Sequence, residues 1–421
     1  MTRNDSRLLS VEEARDAVLR EAAARARPAG RSVPLAQATG RVLAQPVRAA
    51  DDYPPFDRAV MDGFAVRAAD AAAGVELPVI GEVHAGRPSG RGVGPGECLR
   101  INTGAPMPNG ADAVVPVERV AFTTEGTNGP AAQPRIRLTD AVPAGRHVAP
   151  RGSIARAGDV VVPDGARIDA AALAAAIAAG AAEAVVFERP AVAILSTGDE
   201  LVSVGRPASP GQIYDATGPA VAELVRALGG EPAALGIIAD DPAVLRRAVD
   251  DALRRPIVVA LGGMSRGTRD LVPETFAAAG VNWRFRGVAV RPGRPVGFGV
   301  GPGGQLVFGL PGNPASTFVC FELFVRPAIE ALTGRDPSPL PRWVVRLAEP
   351  LEAARDPRPA FLPGRLSAGP EGAPEARPVP WGGSGDPFCL ARANALLWQR
   401  RGDAPMDAGQ PVGVIPLGGE T

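Results

Sequence analysis

Four short polar segments in this chain each follow an apolar run. Ser196-Thr197-Gly198-Asp199-Glu200 follows the run 191–195, and Asp240-Asp241 follows 233–238. Gly262-Gly263-Met264-Ser265, with Asp270 beyond it, follows 257–261, and Pro311-Gly312-Asn313-Pro314 follows 305–310. Bare glycines let backbone N–H groups close on an anion, and a helix starting behind them adds positive partial charge. A lone Gly-Gly is more often a tight turn, but four such segments in one region favour a ligand. Carboxylates beside an anion repel it unless a cation lies between them. Mg²⁺ held by one or two carboxylates plus substrate phosphate is the common arrangement. Asp199 and Asp241 fit equally well as helix caps or solvated loop acids. Further on, GVAVRPGRPVGF sets Arg291 and Arg294 around a Pro-Gly turn, and two such forks can grip a phosphate or another oxyanion.

What positions these groups follows from the rhythm of the chain. Between 190 and 335 the apolar runs alternate with helical patterns near 218–229, 242–254, 271–279 and 314–332. That alternation predicts a parallel sheet covered on both faces, and in open sheets of this kind ligands bind beyond the carboxyl ends of the strands. Upstream, Ser10 and Glu13 form a capping-box pattern, with Val11, Ala14, Val18 and Ala22 at helical spacing, so a helix is expected over 11–26. Short runs at 77–83 and 113–117, cut by Gly and Pro, predict a β-rich module over 51–145. The stretch 151–165 alternates like strands and turns, and Asp169 then caps an Ala-rich helix with Leu173 and Ile177 on one face, ended by Gly180. Beyond 336 a Pro- and Gly-rich tail with runs at 343–347 and 395–399 predicts a small all-β domain.

At 421 residues the chain is too long for one core. Its 45 basic and 45 acidic residues balance, so no net field points to nucleic acid or anionic lipid. Every basic residue is arginine, which excludes lysine as Schiff-base former, general base or phosphate anchor. Cys98, Cys320 and Cys389 have no metal or redox spacing and fit a reducing compartment. MTRNDSRLLSVEEAR carries no apolar signal core, and no stretch has membrane-spanning character, so cytoplasm is the expected location. His84 and His147 lack the neighbouring nitrogen and sulfur ligands of a zinc site and are assigned structural or surface roles.

Taken together, PPFDRAVMDGFAV, RINTGAPMPNGADAVV, AILSTGDEL, GQIYDATG, GIIADD, GGMSRGTRD, VRPGRPVGFG, LPGNPAS and GGSGDPFCLARANAL resemble the molybdopterin molybdenumtransferase family, relatives of the gephyrin E domain. The similarity runs in order along nearly the whole chain. It implies a multidomain α/β and β protein: an elongated domain (1–50 and 146–186), a β-rich insertion (51–145), an α/β molybdopterin-binding domain (187–335) and a C-terminal β-barrel (336–421). The implied reaction inserts molybdate into adenylylated molybdopterin and releases AMP, with Mg²⁺ or another divalent cation. Glu200, Asp240 and Asp270 would hold that cation. Gly262, Gly263, Ser265, Pro311, Gly312 and Asn313 would cradle the pterin phosphate and adenylate. Arg291 and Arg294 would stand as oxyanion clamps where the family usually has lysines. Asp57 and Thr103 would act from the β-rich domain, and Ser384 would close the site from the barrel. A homodimer and a molybdopterin adenylyltransferase partner are also implied, with no nucleic acid and no membrane.

The chain departs from that pattern in four places. Gly152-Ser153-Ile154-Ala155 replaces the usual Gly-Glu-Asp-Ile, so an acid associated with the cleft is missing. Arg58-Ala59-Val60 replaces Asn-Ser-Ala, Thr217 replaces an asparagine, and Pro273 stands where a lysine is common. Two readings therefore stay open at this point: an active molybdenumtransferase, or a divergent paralogue that binds the pterin or serves as an interaction scaffold without efficient metal insertion.

Overall fold

The computed structural model describes residues 8–25, 29–123, 134–264, 271–369 and 372–417. The chain divides into two compact units, one of Met1–Arg31, Gly40–Ala44 and Val186–Thr421, the other of Ser32–Thr39 and Gln45–Val185.

The first unit begins with α1 (Val11–Ala23). Its capping box forms as the sequence predicts: Glu13 N donates to Ser10 Oγ at 3.1 Å, and Ser10 N donates to Glu13 Oε2 at 2.8 Å. The helix ends earlier than the expected 26, and residues 26–28 lie outside the described residues. Strands and helices then alternate: β1 (Ala191–Thr197), α2 (Thr217–Ala227), β2 (Glu231–Ile238), α3 (Pro242–Ala252), β3 (Ile257–Leu261), α4 (Val272–Ala278), β4 (Asn282–Arg286), β5 (Gly297–Val300) and β6 (Leu306–Leu310). They form one sheet in the order β2-β1-β3-β6-β5-β4.

The expected parallel pairing holds for β2, β1, β3 and β6. It does not extend to β4 and β5, which run antiparallel to each other, as β5 does to β6. No helix separates β4 from β5, and without a crossover a parallel return is out of reach.

Successive residues of a strand point to opposite faces. Val192 and Ile194 of β1 join the core shared with α1 and α2, while Ala193 and Leu195 join the one shared with Leu245 and Val249 of α3 and Phe276 of α4. Both faces are covered, which is why these strands read as unbroken apolar runs. The single helix expected over 314–332 is α5 (Pro314–Cys320), a π-helical turn Phe321–Val325 and α6 (Arg326–Leu332), against which α1 packs. Glu322 in that turn and Arg326 form a buried ion pair.

The tail folds as a closed five-stranded barrel of β7 (Trp343–Leu347), β8 (Ala360–Ala368), β9 (Pro374–Pro378), β10 (Ala395–Gln399) and β11 (Pro411–Pro416), in the order β7-β9-β8-β10-β11. Val345, Leu347, Leu397, Val412 and Val414 fill it.

The second unit carries a six-stranded sheet, in the order Ala113–Pro116, Gly63–Val66, Cys98–Ile101, Glu76–Val83, Arg135–Leu138 and Val120–Thr123. Asp169 caps the helix Ala170–Ala178 by accepting from Ala172 N at 2.8 Å. On that helix Leu173 is half-buried and Ile177 exposed, while Ala176 is buried. Among the described residues no helix is long and apolar enough to cross a membrane.

Candidate active site at the sheet edge

The loop after β1 is fastened at both ends. Leu201 N donates to Gly198 O at 3.1 Å, Ile213 N to Glu200 O at 2.8 Å and Asp215 N to Val202 O at 3.0 Å, so the loop lies beside Ile213–Tyr214. Gly198 takes φ +147°, and a Cβ there would meet Glu200 Oε2 at 2.5 Å. Only glycine lets the Glu200 carboxylate fold back over this position. Asp215 gathers the next turn. It accepts from Ser196 Oγ at 2.7 Å, Thr217 Oγ1 at 3.1 Å and Gly218 N at 2.9 Å, which ties β1 to the first turn of α2. This acid lies in the GQIYDATG block, which by itself marks no role for it. An Asp-x-Thr-Gly run before a helical pattern was the signal available.

At the end of β3, Gly262 N donates to Leu310 O at 3.0 Å, and Gly262 sits at φ +90° with the Thr197 carbonyl in the space a Cβ would need. A Cβ on Gly312 would reach Gly262 Cα at 3.5 Å. The loops following β1, β3 and β6 therefore lie back to back, as the strand order requires. Asp241 is the N-cap of α3, accepting from Ala243 N and Val244 N at 2.9 Å, and Asp199 Oδ1 accepts from Asp240 N at 3.2 Å. Ser265 and Asp270 lie outside the described residues.

Two cavities open along this edge. The first, about 970 Å³, is lined by Glu200, Asp240, Gly262, Gly263, Pro311, Gly312 and Asn313, with Tyr214 and Phe388 at other points of its wall. The second, about 1080 Å³, is lined by Arg291, Arg294, Arg358, Ser316 and Ser384. Pro295, Pro311 and Asn313 border both. Asn313 Nδ2 donates to Ser384 Oγ at 3.1 Å and Ala315 N to Ser384 O at 3.0 Å, which fixes the loop that divides them. The Nε of Arg291 is buried with no hydrogen-bond partner among the described residues. Arg358 is the cation that sequence reasoning missed; one arginine among 45 in a Pro-rich tail carries no local mark. Its guanidinium is forked on Asp356, which holds that carboxyl down at about 2.

Asp57 and Thr103 belong to the second unit. Asp57 Oδ1 accepts from Arg151 N at 2.7 Å, while Thr103 donates to Asp62 Oδ1 from its N at 2.6 Å and its hydroxyl at 2.9 Å. These bonds hold the Asp62 carboxyl below its ordinary range. His84 Nδ1 lies 3.1 Å from Asn102 Oδ1, and the His147 carbonyl accepts from Val60 N. Among the described residues no group of three or more His, Cys, Asp or Glu side chains gathers at a metal-ligand spacing.

Three of the departures have defined places in the structure. The Gly152–Ala155 segment stays tied to its neighbour through backbone alone, Gly152 N to Pro54 O at 2.9 Å and Ile154 N to Tyr53 O at 3.0 Å. Thr217 is buried and bonded to Asp215, and the Pro273 carbonyl accepts from Trp283 Nε1 at 3.0 Å.

Residues 9–180 match the MoeA N-terminal region (domain I and II), 193–331 the probable molybdopterin binding domain, and 344–417 the MoeA C-terminal region (domain IV). The chain is 37% identical to the molybdopterin molybdenumtransferase of a Nostoc species over 72% of this chain and 69% of that one. It is 32% identical to the molybdopterin molybdenumtransferase of Staphylococcus aureus over 91% of this chain and 90% of that one. The crystal structure of the molybdopterin biosynthesis moeA protein from Pyrococcus horikoshii superposes with a TM-score of 0.79 at 28% identity, covering 97% of this chain and 99% of that one.

Proposed function

Because this chain belongs to the MoeA family of molybdopterin molybdenumtransferases, we propose that it inserts molybdate into adenylylated molybdopterin and releases AMP. The observation that carries the reading is the pair of cavities sharing the Pro311–Asn313 loop, one walled by glycine backbone and acids, the other by three arginines. In this reading the first takes the phosphorylated pterin and its adenylate. The second takes the tetrahedral dianion.

Glu200 and Asp240 line the first cavity together, and two carboxylates beside a phosphate cradle suit Mg²⁺, which is held by one or two carboxylates with substrate phosphate and water. When bound, such a cation supplies charge neutralisation at a phosphoanhydride. Asp270 and Ser265 stay in the proposed set by sequence alone. The chain's own groups do the rest. The Gly262 N–H is taken by Leu310 O, so that glycine serves by its bare turn, while the backbone N–H groups of Gly263 and Gly312 are suited to phosphate oxygens; Arg291, Arg294 and Arg358 are suited to the oxyanion, with Ser384 and Asn313 between the two substrates. Positioning and charge neutralisation suffice for displacement at phosphorus, so no covalent nucleophile is required.

A cytoplasmic homodimer, with Asp57 and Thr103 taking part in the reaction, and an adenylyltransferase as protein partner complete the proposal. Incubating purified protein with adenylylated molybdopterin, molybdate and Mg²⁺ tests the activity. Molybdate-dependent AMP release is the expected result, and release no faster than without protein overturns it.

A further inference from the structure

We propose that Phe388, with Tyr214 and Ile213, forms an apolar clamp for the planar fused heterocycle of the substrate, adenine or pterin; the inference rests on the assignment of the first cavity to the adenylylated pterin. Phe388 is 76% exposed, Ile213 59% and Tyr214 50%, and all three line that one cavity. A single exposed apolar side chain means little. Three on the wall of one cavity offer apolar area that a ligand would remove from water, with Phe388 the most exposed of them.

The backbone beneath each is anchored. The Asp386 carboxylate accepts from Phe388 N at 2.9 Å, Cys389 N at 3.2 Å and Gly382 N at 3.0 Å, and Cys389 is fully buried next to it. Ile213 and Tyr214 pair with Leu201–Val202, and Ile213 N is held by Glu200 O. Anchored backbone therefore carries three exposed apolar side chains along the wall of the cavity. The same cavity carries the Gly262-Gly263 turn and the acids Glu200 and Asp240. A ligand that satisfies both regions has a flat apolar ring system at one end and a phosphate at the other. Stacking on an aromatic side chain accepts any such ring, because each has a π-face.

Binding of AMP, ribose 5-phosphate and 6-hydroxymethylpterin to the full-length protein, measured by titration calorimetry for wild type, Phe388→Ala and Phe388→Trp, tests this. Phe388→Ala is expected to weaken AMP or the pterin by about tenfold or more. Ribose 5-phosphate should be unaffected, and Phe388→Trp should bind like wild type. Loss for AMP assigns the clamp to adenine, and loss for the pterin assigns it to that ring. Unchanged affinity for both, an equal loss for ribose 5-phosphate, or a change of sedimentation coefficient in place of affinity overturns the clamp. Failure of the wild type to bind AMP or to release it is a separate result, and it removes the underlying functional reading.

Discussion

Asp356 holds Arg358 by both carboxylate oxygens at the rim of the arginine cavity. Nε lies 2.9 Å from Oδ1 and 3.0 Å from Oδ2, Nη2 also donates to Oδ2, and the Arg358 backbone N donates to the same carboxylate at 3.0 Å. The remaining arm of Arg358 donates to Val290 O at 3.2 Å. The guanidinium is thus fixed in plane and direction before any oxyanion arrives, which lowers the cost of ordering it on binding. Asp356→Ala should raise KM for molybdate about tenfold, the scale of one charged hydrogen bond, with kcat at saturating molybdate little changed. Initial rates over a molybdate series check it, and Asp356→Glu should recover part of the loss.

The same contact sets an acid limit. The Arg358 hydrogen bonds hold Asp356 at about 2 in the folded chain, against an ordinary value of 3.8. A depressed carboxyl stabilises the fold above its unfolded value, and that contribution is lost as pH falls through the folded one. Asp62, held by Thr103, and Asp386, held by Gly382, Phe388 and Cys389, shift in the same direction. Stability should therefore be level in these groups above about pH 4 and fall between about pH 4 and 2. Asp356→Asn should flatten that fall, measured by urea titration at stepped pH.

The first cavity was legible in the sequence because its parts sit at strand ends. An apolar run followed by Gly-Gly or Pro-Gly-Asn marks both the strand and the turn beyond it, so Glu200, Asp240, Gly262 and Asn313 could be placed on one edge before any coordinates. The antiparallel pair β4 and β5 was not legible. Its strands carry Trp283-Arg284 and two glycines in place of a clean apolar alternation, and tertiary pairing supplies what local pattern lacks. Arg358 was invisible for another reason: its role comes from a fork to Asp356 and from the fold of the barrel around it. The exposed Ile177 shows the limit of periodicity, which marks a candidate face without saying what covers it.

The π-turn within the last helix of the α/β domain carries buried charge. Glu322 accepts from Arg326 at Nε and, at 2.8 Å, from Nη2, and the carboxylate is fully inside. Burial works against the arginine's charge, yet Glu322 and then Glu330 outweigh it and raise its pKa. Removing one partner strands the other in a low-dielectric core. Glu322→Ala should destabilise the protein by about 3–5 kcal/mol. A chemical denaturation midpoint well below wild type is the expected readout.

Asp215 links the strand β1 to the start of α2 through the Ser196 hydroxyl and the amides of Thr217 and Gly218. Asp215→Ala removes the carboxylate's hydrogen bonds to the first turn of α2, at a cost of about 1–2 kcal/mol. It also removes the side-chain tether next to Tyr214, which lines the first cavity. Weaker AMP binding should therefore accompany the lower melting temperature. Asp241→Ala, a cap on α3 at a residue that lines neither cavity, should lower stability alone, and comparing the two by calorimetry separates helix-start stability from the site.

Glu200 and Asp240 test the cation assignment without relying on turnover alone. Glu200 lies over Gly198, where no other residue leaves room, and its backbone is tied to Ile213, so Glu200→Gln should preserve the loop. What the amide loses is a negative charge. If Mg²⁺ is shared between Glu200, Asp240 and substrate phosphate, Glu200→Gln and Asp240→Asn should each shift the Mg²⁺ dependence of AMP binding to higher concentration. They should also lower kcat by about 10² to 10³, the scale seen when one electrostatic contact to a transition state is removed. Titrating Mg²⁺ against AMP binding in both variants gives the first readout and single-turnover AMP release gives the second. A binding curve that is unmoved in Mg²⁺ while turnover collapses would assign these acids to the chemistry and not to the metal.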